Sequence, residues 1–306
     1  MSLAKTESIW MNGRLVPWDR ANVHVLSHVI HYGSCLFEGI RCYETRRGSA
    51  VFRLRDHVAR LFDGCRIYRI EPPYDRAQIE AAIIETVRAN RLKACYIRPL
   101  VYRGYGSMGV DPTPCPVEVA IAVWPWGAYL GHEALEKGVD VMVSSWRRAA
   151  PDTFPAMAKA SANYMNSQLI KLEALANGYV EGIALDPAGF VSEGSGENLF
   201  IVRHGTLHTP PLDASILPGV TRASILQLAH DLGIPVLERH IPREMLYLAD
   251  EAFFVGTATE VTPIRSIDRI PVGRGRMGEI TARLQAEFMA LTSGRRDDRH
   301  GWFTPV

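Results

Sequence analysis

One segment, PWGAYLGHEALEKG at residues 125–138, interrupts a regular succession of strand-like and helix-like stretches. Its proline and glycines favour loop structure, so it is the natural linker between two folded parts. A chain of 306 residues is long for one domain and comfortable for two. The sequence therefore predicts a small N-terminal domain over residues 1–128, an interdomain loop over 129–137 and a larger C-terminal domain over 138–306.

The part before the linker is typical of helices that cover a sheet. Asn12-Gly13 lies between two apolar runs and is a strong signal for a two-residue hairpin turn. The periodicity of apolar residues predicts helices over 56–69 and 75–91, and strands over 50–54, Cys95–Arg103 and Val117–Trp124. This part is therefore expected to be an α+β unit.

The part after the linker mixes strands and helices along its whole length. Strands are predicted at 139–146, 182–186, 190–192, 198–202, 235–238 and 252–255, and helices at about 161–177, 220–232, 242–248 and 278–292. A charged tail, RRDDRHGW, follows the last helix. The whole chain is therefore expected to be of α+β or α/β class, with two domains.

Charge and cysteine usage exclude several classes of partner. The net charge is +1, which gives no electrostatic footprint for nucleic acid or an anionic membrane and leaves a small molecule as the expected partner. None of the five cysteines forms a C-x-x-C pair, so neither a metal site nor a disulfide framework is expected. The N-terminus lacks the apolar core of a signal peptide, and no uncharged apolar run is long enough to span a membrane. We therefore expect a soluble, cytoplasmic protein with reduced thiols.

Lysine is rare, and one lysine stands apart from the other four. The chain has five lysines among its 34 basic residues, at positions 5, 93, 137, 159 and 171. Only Lys159 has small or apolar neighbours, in PAMAKASANY, with no charge between Asp152 and Lys171. A lysine that reacts as a neutral amine needs such a desolvated site. Lys159 is thus the candidate functional amine, although structural lysines also occur in apolar segments.

Two later segments suit an anionic or ring-shaped ligand. SEGSGENLF, residues 192–200, places two carboxylates and two glycines before an apolar strand, and one glutamate could pair with a cationic ring nitrogen. An ordinary tight turn with exposed acids is the alternative. LPGVTR, residues 217–222, begins a predicted helix, whose N-terminal N–H groups could bind a phosphate. GTAT at 256–259 could offer further backbone amides, or be a plain loop.

A strand in the first domain carries a further candidate pair. Tyr96 and Arg98 in CYIRPLV are two residues apart, so their side chains share one face of the strand. An inward-facing arginine needs an anionic partner, and a substrate carboxylate would serve as well as an internal ion pair. Aromatic residues elsewhere in the chain could line a pocket or belong to the core.

These segments occur together in one order, and the combination is more specific than any single piece. Between residues 10 and 302 the sequence resembles the bacterial branched-chain aminotransferases of pyridoxal-phosphate (PLP) fold type IV. The matching stretches are HYGSCLFEGIRCY, YIRPL, PWGAYLG, VSSWRRAAPDT, the Lys159 segment, EGIALD, SEGSGENLF, LPGVTR and VGTATEVTPIRSID. The resemblance implies a small and a large domain with the active site at their interface.

The resemblance also implies the residues that bind PLP. Lys159 would be the Schiff-base lysine and the general acid/base, Glu193 the partner of the pyridine nitrogen and Tyr164 the donor to the phenolic oxygen. Glu197 would support the site from nearby. The phosphate cup would comprise Arg60, Gly219, Val220, Thr221 and Thr257, and Leu217 and Gly256 would also bind the cofactor.

Substrate-binding residues follow from the same resemblance. Those from the small domain would be Tyr32, Phe37, Gly39, Tyr96 and Arg98, and those of the lid Trp126 and Tyr129. Backbone amides at Thr257 and Ala258, helped by Tyr96, would take the α-carboxylate, while Arg98, with Tyr32 nearby, would pair with the glutamate side chain. Met108 and Val110 would reach into the neighbouring subunit's pocket, which makes a homodimer the smallest active unit.

The implied reaction is a two-stage transamination. L-leucine, L-isoleucine or L-valine would be exchanged with 2-oxoglutarate to give the branched-chain 2-oxo acid and L-glutamate. A D-amino-acid aminotransferase or an aminodeoxychorismate lyase would share the cofactor residues, so Lys159 and Glu193 do not separate these alternatives. The YIRP and RCY motifs favour the L-branched-chain subgroup. A non-catalytic small-molecule binder would not need lysine, ring-nitrogen acid and phosphate cup together.

Overall fold

The structure of the chain is a computed structural model, and it describes residues 3–127 and 132–306. The chain forms two compact units, and each contains more than one stretch of sequence. Unit 1 comprises residues 1–126, 158–162 and 292–306, and unit 2 comprises 127–157 and 163–291. The Lys159 segment thus clusters with the N-terminal stretch. The expected domain boundaries at 128 and 138 stay a prediction.

Regular elements cover most of both units. The strands are β1 (Ser8–Met11), β2 (Arg14–Pro17), β3 (Cys35–Phe37), β4 (Ile40–Thr45), β5 (Gly48–Phe52), β6 (Cys95–Arg103), β7 (Val117–Trp124), β8 (Val139–Val143), β9 (Glu181–Leu185), β10 (Val191–Gly194), β11 (Asn198–Arg203), β12 (Thr206–Thr209), β13 (Val236–Glu238), β14 (Glu251–Gly256), β15 (Glu260–Ile267), β16 (Ile270–Pro271) and β17 (Phe303–Pro305). The helices are α1 (His28–Tyr32), α2 (Leu54–Ile67), α3 (Arg76–Ala89), α4 (His132–Lys137), α5 (Tyr164–Ala176), α6 (Val220–Asp231) and α7 (Glu279–Thr292), with 3-10 turns at Trp18–Arg20, Ser161–Asn163 and Arg243–Leu246.

Unit 1 is built on one sheet in the order β17-β5-β4-β6-β7-β1-β2, with β3 also paired to β6. The predicted hairpin forms because Asn12 and Gly13 both adopt positive φ, 48° and 91°, which a two-residue turn between twisted strands requires. The predicted strands over Cys95–Arg103 and Val117–Trp124 are confirmed residue for residue, and they pair in register from Tyr96↔Trp124 to Arg103↔Val117.

Helices α2 and α3 cover the sheet of unit 1. Helix α3 begins with a capping box, in which Asp75 accepts from the N–H of Gln78 and the Gln78 side chain accepts from the N–H of Asp75. Helix α2 begins at Leu54, two residues earlier than its sequence pattern predicts, after Arg53 in the left-handed region. Its buried side chains, Val58 and Leu61 among them, pack into the unit 1 core.

Unit 2 is built on a second sheet, in the order β10-β9-β8-β15-β14-β11-β12-β13, with β16 paired to β15. Its strands are mostly buried on both faces, which explains the near-continuous apolar runs of β9, β11 and β14. Strand β11 pairs with β14 so that Asn198 lies opposite Val255. The start of β11 and the end of β14 therefore meet at the same edge of the sheet, where the candidate site residues of unit 2 lie.

Other expectations can be compared with the structure directly. All five cysteines are buried and free, as expected of reduced structural thiols. Strand β8 ends at Val143 and not at 146, because Ser144 and Ser145 turn to bond the Glu173 carboxylate on α5. Across residues 3–127 and 132–306, no helix has the length and apolar character that crossing a membrane requires.

Candidate active site

Lys159 lies in a short extended segment that pairs with β3. Leu36 forms an antiparallel bridge with Ala160, and the N–H of Phe37 donates to the carbonyl of Lys159 at 3.0 Å. The side chain then runs along the Phe37 ring, with Nζ 4.9 Å from the ring centroid. Ala158 and Ala160 are buried and add no bulk beside the amine. Backbone pairing thus fixes the position of the Lys159 amine within unit 1.

Arg60 projects from α2 into a buried charged cluster of the same unit. Its Nε donates to Glu38 Oε1 at 2.7 Å and its Nη2 to Glu38 Oε2 at 2.8 Å, while His57 Nδ1 lies 2.7 Å from Oε2. Burial opposes ionisation of Glu38, but Arg60 and His57 outweigh it and hold the pKa of Glu38 well below its usual range. Burial lowers the pKa of His57, although Glu38 opposes that shift. The predicted phosphate contact of Arg60 stays a prediction; its guanidinium is held by Glu38.

Arg98 lies in an aromatic enclosure in unit 1. Its guanidinium carbon is 4.7 Å from the Phe37 ring centroid, 5.3 Å from that of Tyr96 and 5.9 Å from that of Trp124. Trp126 extends the enclosure, with its ring 5.1 Å from Tyr96. Among the described residues Arg98 has no carboxylate partner, and its Nε is buried without an acceptor. Among the described residues, Arg98 therefore does not form the internal ion pair that was the alternative.

Gly39 is required by the position of Tyr96. A Cβ built on Gly39 would lie 1.9 Å from the Tyr96 hydroxyl oxygen, so any side chain there would displace Tyr96. Arg98 Nη2 in turn donates to that Tyr96 hydroxyl at 3.4 Å. Tyr96 is thus in contact with both Gly39 and Arg98, the other two residues predicted from EGIRCY and YIRPL.

The remaining predicted substrate residues of unit 1 are more exposed. Tyr32 ends α1, is 43% exposed and packs against His28, with ring centroids 4.4 Å apart. Met108 and Val110 are 47% and 87% exposed in the single chain. Tyr129 lies outside the residues that the structure describes. The structure does not bring Tyr32, Met108 or Val110 onto the Arg98 enclosure, and their predicted roles stay predictions.

In unit 2, Glu193 is a buried carboxylate near the end of β10, 8% exposed. Its Oε2 accepts from Asn198 Nδ2 at 3.0 Å and from the N–H of Leu217 at 3.1 Å, and its Oε1 lies 3.3 Å from Arg148 Nη2. Oε2 thus has two hydrogen-bond donors, and Oε1 lies beside a cation. Such a carboxylate is suited to hold a proton on a cationic ring nitrogen.

Asn198 connects Glu193 with the start of α6. Its Nδ2 also donates to the carbonyl of Leu217 at 3.0 Å, and its Oδ1 would lie 1.9 Å from a Cβ at Gly219. Gly219 is the N-cap of the twelve-residue helix α6 and supplies no side-chain cap to the first N–H groups. Val220 and Thr221, the first helical residues, are buried. Glu193 and the N-terminus of α6 are therefore held together through one asparagine.

Glu197 lies behind this arrangement as a second buried acid, 4% exposed. Its Oε2 accepts from the N–H of Gly196 at 3.0 Å and its Oε1 from the Thr259 hydroxyl at 3.3 Å. Burial, and then the nearby carboxylate of Glu181, raise the pKa of Glu197 to about 8. Glu197 thus holds a proton at neutral pH.

Three further predicted residues, Thr257, Ala258 and Tyr164, also belong to unit 2. Thr257 and Ala258 form the half-buried turn after β14, directly beyond Gly256 and its partner Glu260. A Cβ at Gly256 would lie 3.8 Å from Glu197 Cγ, so the turn adjoins the buried acid. Tyr164 is half-buried and begins α5.

Sequence reasoning missed four residues that hold the predicted ones in place: Glu38, His57, Arg148 and Asn198. Asn198 and Glu38 stand in quoted motifs, SEGSGENLF and FEGIRCY, but nothing in those letters distinguishes a buried polar anchor from a turn residue. The signal that could have found Glu38 is its position between apolar residues of a strand segment, since a buried acid needs a cationic partner. No local signal in the sequence identifies Arg148. The adjacent Arg147 is the same residue type, yet it is exposed and donates to the carbonyl of Pro187.

Comparison with known proteins agrees with this geometry. The family model described as amino-transferase class IV matches residues 35–267. The chain is 52% identical to the branched-chain-amino-acid aminotransferase of Salmonella typhimurium, over all of this chain and 99% of that protein.

Solved structures give the same result. The crystal structure of Escherichia coli branched-chain amino acid aminotransferase superposes with a TM-score of 0.96 at 52% identity, covering 98% of this chain and 99% of that one. The branched-chain aminotransferase of the archaeon Thermoproteus uzoniensis, solved with norvaline, matches with a TM-score of 0.93 at 44% identity, with coverages of 98% and 99%. That of Thermobaculum terrenum, solved in its PLP form, matches with a TM-score of 0.91 at 36% identity and covers 98% of each chain. Fold, site residues and full-length identity therefore assign this chain to the class IV aminotransferase family, among its branched-chain amino acid aminotransferases.

Proposed function

We propose that this chain exchanges the amino group of L-leucine, L-isoleucine or L-valine with 2-oxoglutarate, using PLP bound to Lys159. The observation that carries the proposal is the Phe37 ring, which contacts both the Lys159 amine and the Arg98 guanidinium. An apolar ring beside an arginine without a carboxylate partner among the described residues suits a pocket that must accept both a leucine-like side chain and the carboxylate of glutamate.

The donor set of unit 2 fits PLP. The uncapped start of α6 at Gly219–Val220 offers backbone N–H groups and the positive end of a helix dipole to a phosphate. The close fit of Gly219 against Asn198 leaves no room for a side chain where a ligand would approach the backbone. Glu193 supplies an ionised carboxylate for the pyridine nitrogen. The phosphate would be held by Arg60, Gly219, Val220, Thr221 and Thr257, with Leu217 and Gly256 also contacting the cofactor.

Each of the remaining residues has a definite role in the chemistry. When bound, PLP accepts the electrons left behind as the substrate α-carbon loses its proton. Lys159 takes that proton and returns it, as general base and then general acid, once the substrate amine has displaced it. Glu193 keeps the ring nitrogen protonated, and Tyr164 donates to the phenolic oxygen. Glu197, neutral near pH 7, adds no second negative charge beside Glu193.

Substrate recognition divides between the two carboxylates of glutamate. The amides of Thr257 and Ala258, with the Tyr96 hydroxyl, take the α-carboxylate common to all substrates. Arg98, with Tyr32, pairs with the side-chain carboxylate of glutamate, and the aromatic rings around Arg98 pack against leucine instead. Gly39, Trp126 and Tyr129 complete the pocket.

We further propose that the active enzyme is cytoplasmic and at least a homodimer. The exposure of Met108 and Val110 supports the second part, because large apolar side chains that remain exposed in one chain suit an interface. Val110, the most exposed of them, would contact the pocket of the neighbouring subunit.

A spectroscopic and kinetic experiment tests the proposed function. The purified protein is reconstituted with PLP and mixed with L-leucine in the absence of any 2-oxo acid. We expect the visible absorbance of the cofactor to bleach, and expect 2-oxoglutarate to restore it with release of L-glutamate. A panel of L-valine, L-isoleucine, L-leucine and D-alanine then measures specificity.

Each alternative gives a different outcome. A protein that ignores L-leucine and responds to D-alanine would be a D-amino-acid aminotransferase, and one that releases pyruvate from aminodeoxychorismate would be the lyase. A protein that takes up no PLP would contradict every transaminase assignment.

A further inference from the structure

Arg148, in the segment after β8, contacts both the Glu193 turn and the start of α5. Its side chain is 10% exposed, and its backbone N–H donates to the carbonyl of Leu185 at 2.9 Å, which fixes the bend to β9. The guanidinium therefore leaves a rigid backbone and lies in a largely water-free environment, where its hydrogen bonds are strong.

One edge of the guanidinium holds the turn that contains Glu193. Nη2 donates to the carbonyls of Gly194 and Ser195, the latter at 3.1 Å, and lies 3.3 Å from Glu193 Oε1. These contacts bind the side chain of Glu193 and the backbone that follows it. The turn thus cannot rotate without breaking bonds to a buried cation.

The other edge holds the first turn of α5. Nη1 donates to Asn166 Oδ1 at 3.2 Å and to Ser167 Oγ at 3.0 Å. Asn166 in turn donates to the carbonyl of Arg147 at 2.9 Å, so the helix start is bonded to the same bend. Helix α5 begins with Tyr164, and Asn166 and Ser167 belong to its first turn.

We propose that Arg148 is a positioning residue that fixes the distance between Glu193 and Tyr164 and keeps Glu193 ionised. The inference rests on the proposed function, in which these two side chains would bond two different groups of one PLP ring, the nitrogen and the phenolic oxygen. A rigid ring tolerates only one separation of its two partners. A single planar guanidinium that bonds both elements sets that separation.

Arginine suits this role and lysine does not. The guanidinium offers donors in a fixed fork and stays charged, whereas an ammonium supplies charge from a single point. The charge and the geometry can therefore be separated by substitution. Arg148→Lys keeps a cation near Glu193 but loses one arm of the fork. Arg148→Gln loses both the charge and the fork.

The test compares Arg148→Gln and Arg148→Lys with Arg147→Gln. Arg147 is the matched control, because it is the neighbouring residue, is exposed and bonds the carbonyl of Pro187. For each protein, PLP affinity of the apoenzyme is measured by fluorescence titration, and the absorbance of bound PLP is followed against pH. Single-turnover kinetics with L-leucine separate kcat from KM.

We expect Arg148→Gln to weaken PLP binding about 10- to 100-fold, as the loss of a charged hydrogen-bonding group predicts. Its kcat should fall while the KM for L-leucine changes little, since the proposed substrate pocket does not include Arg148. Arg148→Lys should restore the pH profile of the cofactor absorbance, which reports the charge on Glu193, but not the full affinity. Arg147→Gln should match the wild-type protein.

A folded Arg148→Gln protein with wild-type PLP affinity and absorbance would overturn the inference. Should that variant not fold, Ser167→Ala carries the same test, because it removes one acceptor and leaves the cation paired; unchanged affinity and absorbance would then refute the role of the fork. A wild-type protein that does not take up PLP would instead refute the proposed function. The two failures are therefore distinguishable.

Discussion

The carboxylate of Glu38 holds the guanidinium of Arg60 through two parallel hydrogen bonds, from Nε to Oε1 at 2.7 Å and from Nη2 to Oε2 at 2.8 Å. Glu38 is fully buried, and the N–H of Gly39 and the ring of His57 add to its bonds. Residue 38 follows Phe37, whose N–H bonds the carbonyl of Lys159. The cluster therefore links the helix that carries Arg60 to the end of β3, the strand that pairs with the lysine segment.

Glu38→Gln should destabilise the protein and weaken cofactor binding together. The glutamine amide has one acceptor oxygen where the carboxylate has two, so the buried guanidinium of Arg60 is left partly unpaired. This loss should lower the free energy of unfolding by about 3 kcal/mol. Urea unfolding of the apoenzyme measures this change. Glu44→Gln is the control, because Glu44 pairs with Lys93 at the surface, with side chains 56% and 76% exposed, and should change stability by less than about 0.5 kcal/mol. Equal stability of both variants would contradict the role given to Glu38.

The same cluster predicts loss of stability in acid. The pKa of Glu38 is held below its usual range and that of His57 is also lowered, so both bind protons more weakly in the folded state than in the unfolded chain. Their contribution is therefore present at neutral pH and is lost as the pH falls below 6.5 for His57 and then below 4.5 for Glu38. In His57→Gln the free energy of unfolding in urea should fall less between pH 7 and pH 5 than in the wild-type protein, by roughly 1 kcal/mol, because the variant lacks the imidazole that binds a proton only in the unfolded chain.

Glu197 should behave in the opposite way. Its pKa is raised to about 8, so the folded state keeps a proton that the unfolded chain releases above pH 4.5. This group lowers stability as the pH rises from 4.5 to about 8 and has no further effect above that value. Glu197→Gln should therefore leave apoenzyme stability unchanged at pH 5 and raise it at pH 8, by an amount on the order of 2 kcal/mol. A parallel shift at both pH values would contradict the assignment, and Glu7→Gln at the exposed N-terminal end supplies the control.

Lys159→Ala should abolish transamination without unfolding the protein. The variant loses both the covalent attachment of PLP and the group that moves the proton, so turnover should fall by about 10³-fold or more. The apoenzyme should keep its unfolding midpoint and still bind PLP noncovalently. Lys137→Ala, at an exposed pair with Glu133, should retain full turnover. Transamination retained in Lys159→Ala would refute the role of this lysine.

Arg98→Gln should separate the two amino-group donors. Glutamate and 2-oxoglutarate lose a bidentate ion pair, which corresponds to about a 10- to 100-fold rise in KM. Leucine only packs against the enclosure of Phe37 and Tyr96, so its half-reaction should change less than about threefold. The half-reaction with leucine is the internal control. An equal loss in both half-reactions would mean that Arg98 has no special role with acidic substrates.

Elements that depend on local pattern can be predicted from the sequence, and those that depend on distant pairing cannot. The Asn12-Gly13 hairpin, the capping box at Asp75 and strands β6 and β7 each follow from neighbouring residues. The sequence predicts only a charged tail near β17, because that strand is extended through its pairing with β5, about 250 residues earlier. The sequence also predicts β8 too long, since the bonds from Ser144 and Ser145 to Glu173 turn the chain away.

The same division applies to the candidate site. Lys159 can be singled out from its uncharged surroundings, and Glu193 from the turn that contains it. Glu38 could be singled out only as an acid between apolar residues, without its partners His57 and Arg60 on α2. Arg148 cannot be singled out, because it acts through partners on other elements, among them the first turn of α5. A polar anchor has no periodicity, so only the folded arrangement identifies it.

The lysine segment has a consequence for how this fold can be divided or recombined. Residues 158–162 and 292–306 belong to unit 1 with the first 126 residues, although most of unit 2 lies between them in sequence. A fragment of residues 1–126 would lack both Lys159 and strand β17, and would expose the edge of β5 that β17 covers. Exchanging N-terminal halves between two relatives would likewise join a strand β3 from one parent to a lysine segment from the other. The candidate amine therefore depends on two separated stretches of sequence, because the N–H of Phe37 donates to the carbonyl of Lys159 and the Phe37 ring lies against the amine.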